Sequence, residues 1–363
     1  MKLTAPKKAL VAALSQCIGY TGKTPQIATH VLFDADGDSV TLRATDMRLS
    51  FEAKIACMAE TPGKSALPAR DLLDRIKAMA DGPVTISVDK TAASVRGPGS
   101  RRFSLFALPA EDFPKAYSTK GEVAEMRIAA GVLREMTDSV FGCIANDETR
   151  PHVNSMLVQP RAGKLRFVST DGHRLAFNET LCADGIEFLI PRKALDLLRK
   201  LLDSLGLADE VALSTDKVWL RAVVGDALFS CMLTEAVFPP YEQVIPKSFN
   251  SSALVPRAAL SASAHAVAIS ANDRTSGIVL DFGEKRVRVT AESPEKGNAE
   301  DEVPIDLTGK GGRIGFRGSY VEEAMGVFDS ETVRVEMSGE LDPMVVRPES
   351  GDGQLVVLMP MRI

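Results

Sequence analysis

One pattern of secondary structure occurs three times along this chain of 363 residues. The first copy contains SALPARDLLDRIKAMADGPVTISVDK at 65–90, and the second contains EFLIPRKALDLLRKLLDSLGLADEVALSTDK at 187–217. The third, IGFRGSYVEEAMGVFDSETVRVEM at 314–337, has the same order of entry strand, helix and hairpin but lacks the proline before the helix. The repeat is about 120 residues long, and self-similarity of this kind predicts three equivalent structural units.

The three copies predict three domains, at 1–121, 122–248 and 249–363. Each copy offers two amphipathic helices and roughly eight short strands with alternating apolar residues. Many strands interrupted by isolated helices favour an α+β fold, with the helices on one face of antiparallel sheet. We therefore expect three repeated units of antiparallel sheet with two helices each.

Composition excludes several classes of protein. Apolar residues make up 45% of the chain, yet no stretch approaches the roughly 18 apolar residues that a membrane helix requires. The five cysteines are scattered without a C-x-x-C pair, which disfavours a disulfide framework and a zinc site and favours a reducing cytoplasm. No motif predicts a cofactor or a metal. The net charge of −5 argues against a protein that holds nucleic acid by bulk charge alone.

The segment RFVSTDGHRLAF at 166–177 has the densest polar chemistry in the chain. Its Thr-Asp pair lies 125 positions after the Thr-Asp pair of TDMRL at 45–49. Because both segments have Thr, Asp, Arg and Leu, we interpret these four residues as a structural turn in which the Asp caps or bridges the backbone. Gly172 and His173 are then what the second copy adds, and we interpret them as a local binding feature. The alternative is a hydrolase in which Asp171 and His173 form an acid–base pair.

Basic residues recur on the outer faces of the predicted helices. Apolar residues at helical spacing take the inner face of each of these helices, which turns the basic residues outward. They are Arg70 and Lys77 in the first copy and Arg134, Arg192, Lys193, Arg199 and Lys200 in the second. Because equivalent helices of the two copies carry outward basic residues, we predict that they form one positively charged surface. The third copy has Glu322 and Glu323 on its helix, which weakens this prediction.

Three further stretches carry a family resemblance: TDGHRLA in the second copy, FPPYEQVIP at its end, and VVLMPMRI at the end of the chain. Together with the threefold repeat they resemble the bacterial DNA polymerase III beta subunit family, the sliding clamps, over essentially the whole chain. The resemblance implies the DNA clamp fold, in which two chains join head to tail into a homodimeric ring of six units. Duplex DNA would pass through the ring independently of sequence. The ring would tether the replicative polymerase without catalytic residues, cofactor or membrane contact, in the cytoplasm.

The resemblance also implies a pocket that receives short peptides from the replicative polymerase, the clamp loader, repair polymerases and other clamp-motif proteins. The implied pocket residues are Val153, Thr170, Gly172, His173, Arg174, Leu175, Pro239, Val244, Leu341, Pro343, Val357, Met359, Pro360, Met361 and Arg362. The expected DNA-facing set is the seven basic helix residues together with Arg150, from the acidic loop at 146–154. Gln243 stands where the family commonly has a basic residue. Besides the hydrolase, an interaction scaffold that never encircles DNA remains an alternative.

Overall fold

The computed structural model describes residues 1–115, 123–182 and 185–362. The domain boundary predicted at residue 121 lies outside the described residues. The chain divides into two compact units, of which the first comprises Met1–Gly131 with Asp196–Leu233 and the second comprises Val132–Leu195 with Thr234–Ile363. The predicted pocket residues all belong to the second of these units.

The first copy of the repeat begins with a strand and a helix and ends with a three-stranded meander. Its elements are β1 (Lys2–Pro6), α1 (Lys7–Ile18), β2 (His30–Asp36), β3 (Ser39–Thr45), β4 (Leu49–Ala56), β5 (Met58–Thr61), β6 (Gly63–Pro68), α2 (Ala69–Lys77), β7 (Pro83–Asp89), β8 (Ala92–Arg96) and β9 (Arg102–Phe106).

The second copy repeats this order. Its elements are β10 (Ala124–Ala129), α3 (Ala130–Phe141), β11 (Ser155–Arg161), β12 (Lys164–Thr170), β13 (Arg174–Leu181), β14 (Phe188–Pro191), α4 (Arg192–Leu202), β15 (Glu210–Thr215), β16 (Trp219–Val224) and β17 (Ala227–Met232).

The third copy follows the same plan to the end of the chain. Its elements are β18 (Ser251–Pro256), α5 (Arg257–Ala268), β19 (Gly277–Phe282), β20 (Arg286–Ser293), β21 (Gly297–Pro304), β22 (Asp306–Gly309), β23 (Gly312–Arg317), α6 (Gly318–Gly326), β24 (Thr332–Met337), β25 (Met344–Pro348) and β26 (Gln354–Leu358). Two helices and eight or nine strands in each copy, within the described residues, confirm the predicted α+β repeat.

All strand pairs described are antiparallel, and each compact unit contains two sheets. The first unit has a five-stranded sheet in the order β5-β1-β7-β8-β9 and an eight-stranded sheet in the order β10-β15-β16-β17-β4-β3-β2-β6. The second unit has a nine-stranded sheet in the order β14-β11-β12-β13-β26-β25-β24-β18-β22 and a four-stranded sheet in the order β21-β20-β19-β23. Each large sheet therefore combines strands from two successive copies, through β17 on β4 and β26 on β13.

The local sequence explains both kinds of element. Helix α2 begins directly after Pro68, whose fixed φ suits a helix start. Its Leu72, Leu73 and Ile76 lie at helical spacing and are buried, as predicted. In strands such as β1, β8 and β24 every second residue is buried, because successive side chains point to opposite faces of a sheet.

No helix in the described part of the chain is both long and apolar enough to span a membrane.

Candidate functional site

The polar segment of the second copy forms a tight turn between β12 and β13. Thr170 Oγ1 donates to the carbonyl of Arg174 at 2.7 Å and accepts from the amide of Gly172 at 3.1 Å. Asp171 Oδ1 accepts from the amides of His173 and Arg174 at 2.8 and 3.0 Å. Short hydroxyl and carboxylate side chains favour such turns because they satisfy backbone amides that have no strand partner. The turn therefore fixes the backbone while the His173 side chain stays exposed.

The same turn occurs twice in the first unit, at 45–49 and at 215–219. In both, the threonine hydroxyl donates to the carbonyl four residues later, at 2.6 and 2.7 Å. The aspartate again accepts from two amides, at distances between 2.7 and 3.1 Å. The third residue has a left-handed φ of 76° at Met47 and 71° at Lys217, against 92° at Gly172. The sequence predicted a hairpin turn here, at Asp216-Lys217, but not that its Thr-Asp pair forms the same turn as the other two.

These hydrogen bonds correct the alignment of the two segments. Leu49, which accepts from the first threonine, is the counterpart of Arg174, and Arg48 is the counterpart of His173. Strands β4 and β13 begin at these matched positions. The prediction that Arg and Leu are shared by the two turns is wrong. Aligning these residues by identity requires a gap of one residue, whereas the hydrogen bonds align the two turns without a gap. The second copy thus adds Arg174, as well as Gly172 and His173.

Arg174 lies at the centre of an ion-pair cluster. Its Nε donates to Asp171 Oδ2 at 3.1 Å, one terminal nitrogen donates to Glu323 Oε2 at 2.7 Å, and the other donates to the carbonyl of Gly142 at 2.6 Å. The guanidinium also lies 4.2 Å from the ring centre of Tyr320. A guanidinium that is only 10% exposed requires such a complete set of partners. Glu323, expected on the outer face of the acidic helix, is therefore one wall of this site.

A cavity of about 380 Å³ lies beside this cluster. Arg150, predicted to face DNA, lines the cavity together with His173 and Arg174. Its Nε donates to Asp147 Oδ2 at 3.1 Å, and hydrogen bonds from the hydroxyl and amide of Thr149, then from Arg150, lower the pKa of the Asp147 carboxyl. The complete lining is Ile144, Ala145, Asn146, Asp147, Arg150, Asp171, His173, Arg174, Arg317, Ser319, Tyr320 and Glu323. The residues from α6 and its N-terminal flank were missed by sequence reasoning, because no motif marks them.

The end of the chain lies against the same turn. Strand β26 pairs with β13, and the amide of Met359 donates to the carbonyl of His173 at 2.9 Å. The amide of Met361 donates to the carbonyl of Gly315 at 2.9 Å. The structure therefore brings the polar turn and the terminal Met-Pro-Met sequence together, as the family resemblance implies.

The residues predicted for the peptide pocket differ in exposure. Val244, Leu341 and Met359 are exposed by 43%, 62% and 38%. The buried members are Val153, Thr170, Leu175 and Val357. The others, half-buried or exposed, are Gly172, His173, Arg174, Pro239, Pro343, Pro360, Met361 and Arg362. A ligand can meet the exposed members directly, whereas the buried ones act through the packing beneath them.

The turn does not provide the acid–base pair of the alternative hydrolase. The Asp171 carboxylate accepts from two backbone amides and from Arg174, and in the described structure it receives no hydrogen bond from the imidazole of His173. Residues 1–115, 123–182 and 185–362 also contain no group of three or more His, Cys, Asp or Glu arranged to hold a metal ion. The arrangement suits recognition through exposed apolar and polar groups.

In the first unit, α2 and the part of α4 from Asp196 onward carry predicted DNA-facing residues. Arg70 and Lys77 lie on the exposed side of α2, opposite its buried leucines. On α4, Arg199 is half-buried, and Lys200 is exposed and pairs with Asp196 at 2.6 Å. These side chains lie on the helix faces that their spacing predicted.

In the second unit, helical spacing predicted the exposure of the basic residues less reliably. Arg134 and Lys193 are exposed, as predicted. Arg192, in contrast, donates to the carbonyls of Ile144 at 2.6 Å and Phe141 at 3.2 Å, and its guanidinium lies 4.3 Å from the ring centre of Phe141. Arg192 is thus half-buried, and its guanidinium is bound near the end of α3.

Comparison with known proteins agrees with this fold. Models of the DNA polymerase III beta subunit match in order along the chain, with the N-terminal domain at 1–117, the central domain at 127–240 and the C-terminal domain at 242–362. The beta sliding clamp of Pseudomonas aeruginosa is 31% identical over 372 residues, and that of Escherichia coli is 28% identical over 372 residues. Each alignment covers 100% of both chains.

Solved structures give the same result. A sliding clamp (DNA polymerase III subunit beta) from Bartonella birtlesii bound to griselimycin superposes with a TM-score of 0.94 at 29% identity. The sliding clamp of Pseudomonas aeruginosa bound to griselimycin gives 0.93 at 30% identity. Both cover 100% of each chain. The three repeats, the terminal strand on the polar turn and these full-length matches show that the chain belongs to the DNA polymerase III beta subunit family, the beta sliding clamps.

Proposed function

We propose that two copies of this chain close head to tail into a ring around duplex DNA and hold the replicative polymerase on it. The main support is that the three beta subunit domains match in order from residue 1 to residue 362. A ring retains DNA by topology, so its contacts with phosphate can be weak, and a net charge of −5 is compatible with that role. We place this function in the cytoplasm.

Two sheet edges that are unpaired among the described residues support the closing of the ring. Strand β9 is an edge of the five-stranded sheet, carries Arg102 and ends at Phe106, which is 86% exposed. Strand β21 is an edge of the four-stranded sheet and presents Asp301, beside Glu300 and Glu302, which form ion pairs with arginines of β20. An exposed edge is a template for pairing with another chain, and opposite charges favour the correct partner. We therefore propose that β9 of one copy pairs with β21 of the other.

For the DNA-facing surface we propose outward-facing cations of the helices together with Arg150 from the loop at 146–154. Arg70 and Lys77 have no recorded ion pair among the residues described and are the members best able to meet phosphate. The others proposed are Arg134, Arg150, Lys193, Arg199 and Lys200. Arg192 is bound to backbone carbonyls, and we propose that it positions the end of α3.

The peptide-binding function is proposed for the surface formed by the β12–β13 turn, the chain end and the cavity. Leu341, Val244 and Met359 offer exposed apolar contacts, and methionine adapts to varied partners. His173 and Arg150 add polar groups that line the cavity, and apolar and polar contacts together suit a short peptide with both kinds of residue. We propose that the replicative polymerase, the clamp loader and repair polymerases present such peptides.

The test of encirclement uses circular DNA. The protein is loaded by its clamp loader on a nicked circle, and retention is measured by gel filtration before and after the circle is linearised. We expect retention on the circle and loss from the linear molecule, because a ring can slide off free ends. Equal retention on both would contradict the proposal.

The matched variants test the proposed closure. Phe106→Asp introduces a charge at the edge of β9 and should abolish both the dimer and retention on the circle. Leu181→Asp changes an equally exposed apolar residue, 84% exposed and outside both edges, and should leave retention unchanged. A dimeric Phe106→Asp protein would exclude the β9 edge from the interface.

A further inference from the structure

The first unit has an exposed apolar surface around its own copy of the polar turn. Met47, Val218 and Met232 are exposed by 44%, 55% and 37%, and we call these three, with Arg48 and Lys217, the Met47 surface. The amide of Met232 donates to the carbonyl of Arg48 at 2.7 Å, and the amide of Leu233 donates to the carbonyl of Val218 at 2.8 Å. These bonds join the two turns and the end of β17 into one continuous surface.

This surface has the same construction as the proposed peptide pocket. In the pocket, the amide of Met359 donates to the carbonyl of His173 at 2.9 Å, which is the bond that Met232 makes to Arg48 in the first unit. Met232 is the last residue of β17 and Met359 directly follows β26, and each of these strands pairs with the strand after a Thr-Asp turn. Leu341, in the connection between β24 and β25, is 62% exposed and takes the place of Val218, between β15 and β16.

The charge of the two surfaces differs. In the pocket, Arg174 is neutralised by Asp171 and Glu323. On the Met47 surface, Arg48 and Lys217 are exposed, and the structure records no ion pair for either among the residues it describes. The Met47 surface is therefore an apolar patch with two cations beside it.

We propose that the Met47 surface is a second docking site, which binds an extended segment of a partner protein with apolar side chains and adjacent carboxylates. The inference rests on the proposed peptide-binding function, because it takes the pocket as its template. Exposed methionines adapt to apolar side chains of different shapes. Arg48 and Lys217 favour a peptide of opposite charge, since complementary charge speeds encounter and rejects basic segments.

The experiment observes both sites in one molecule. The full chain is labelled with ¹³C at the methyl groups of its 13 methionines, and the spectrum is titrated with the acetylated, amidated peptide Asp-Leu-Glu-Leu-Phe. We expect the signals of Met47 and Met232 to shift with a dissociation constant of their own, separate from that of Met359 and Met361. The peptide Lys-Leu-Lys-Leu-Phe should bind the Met47 surface about tenfold more weakly, because two attractions become repulsions.

Single substitutions test whether the shifts of the Met47 and Met232 signals arise from peptide binding at the Met47 surface. Val218→Asp and Lys217→Glu should each weaken the shifts of Met47 and Met232 by about fivefold to tenfold and leave the titration of Met359 unchanged. Leu207→Asp is the control, because Leu207 is a 76% exposed leucine of the same unit outside the surface. The other methionine signals report whether each variant is folded. Two different substitutions, at neighbouring residues of the turn, keep the test decisive if one of the variants does not fold.

Each outcome decides between the two proposals. Unmoved Met47 and Met232 signals, at peptide concentrations that saturate Met359, would overturn the second site and leave the pocket standing. The reverse pattern would support the second site and contradict the pocket. Shifts of Met47 that follow protein concentration without peptide would mean that a second copy covers the surface, and would overturn the peptide as its occupant.

Discussion

A single guanidinium, that of Arg174, joins the β12–β13 turn to α6 and to the end of α3. Two carboxylates and a carbonyl surround it, and the ring of Tyr320 covers one face. Its counterpart in the turn at 45–49 is Leu49, a buried residue that needs no polar partner. A buried charge is stable only with its partners in place, so Arg174 ties the position of Glu323 to that of Asp171.

Replacement of Arg174 should therefore be costly. We expect Arg174→Ala to lower the free energy of unfolding by about 2–4 kcal/mol, because it leaves Asp171 and a carbonyl without their partner. The control is Arg48→Ala, which removes an exposed arginine and should change stability by less than about 0.5 kcal/mol. Urea denaturation followed by circular dichroism measures both. Equal effects of the two substitutions would contradict the assigned register.

The corrected alignment of the two turns also shows which properties of single residues could be predicted from the sequence. The Thr-Asp turn was predictable, because these side chains have a local reason to bind the amides that follow them. The role of Arg174 was not, because its main partner, Glu323, is 149 positions away in the sequence. Gly172 has a left-handed φ, but Met47 adopts a similar one in the first copy, so the turn itself does not require glycine.

At the scale of single elements, the β12–β13 pair carries an ion pair on the face of the sheet. Arg166 and Glu179 are opposite each other in register, and their side chains are 14% and 9% exposed. Arg166 lies over the ring of Phe177 at 4.1 Å and donates to the hydroxyl of Tyr241 at 3.2 Å. Burial alone would raise the pKa of the Glu179 carboxyl, but Lys164 and Arg166 together outweigh it and lower the pKa.

This lowered pKa predicts a dependence of stability on pH. A carboxylate whose pKa is lower in the folded state stabilises fully above its unfolded pKa of about 4.3 and loses that contribution as pH falls through the folded value. Glu179→Gln should therefore cost about 1–3 kcal/mol at pH 7 and progressively less below about pH 4. Urea midpoints of both proteins across this range measure the difference. A difference independent of pH would contradict the prediction.

The helices show why element positions were easier to predict than side-chain partners. Buried leucines at helical spacing fixed the inner face of α2 and α4 correctly. Spacing within α4 could not indicate that the end of α3 lies beside Arg192. The last carbonyls of a helix have no partner within it and attract a cation, so Arg192 binds there.

At the scale of the whole molecule, three sequence copies form two compact units with two sheets each. Copy number and element order were predictable from self-similarity and periodicity. The joining of copies through β17 on β4 and β26 on β13 was not, because an alternating pattern fixes which face is buried and not which strand is the neighbour. The exact domain boundaries stay a prediction.

The five cysteines test the packing of both units in one experiment. Cys17, Cys143 and Cys231 are buried, whereas Cys57 and Cys182 are half-buried. Burial raises the pKa of the Cys17 and Cys143 thiols to about 12 and also raises that of Cys231, so these three thiols lack both access and the reactive thiolate form at neutral pH.

We expect a thiol-specific reagent to modify only Cys57 and Cys182 in the native protein and all five cysteines in urea. Burial, and then Asp38, raises the pKa of Cys57, so its modification should be slower than that of the unfolded chain at pH 7.5 and should accelerate with pH. Peptide mapping by mass spectrometry identifies the sites, and Cys57→Ser should leave one reactive position. Rapid native modification of Cys17 or Cys231 would contradict the packing of the first unit, and that of Cys143 would contradict the closed cluster around Arg174.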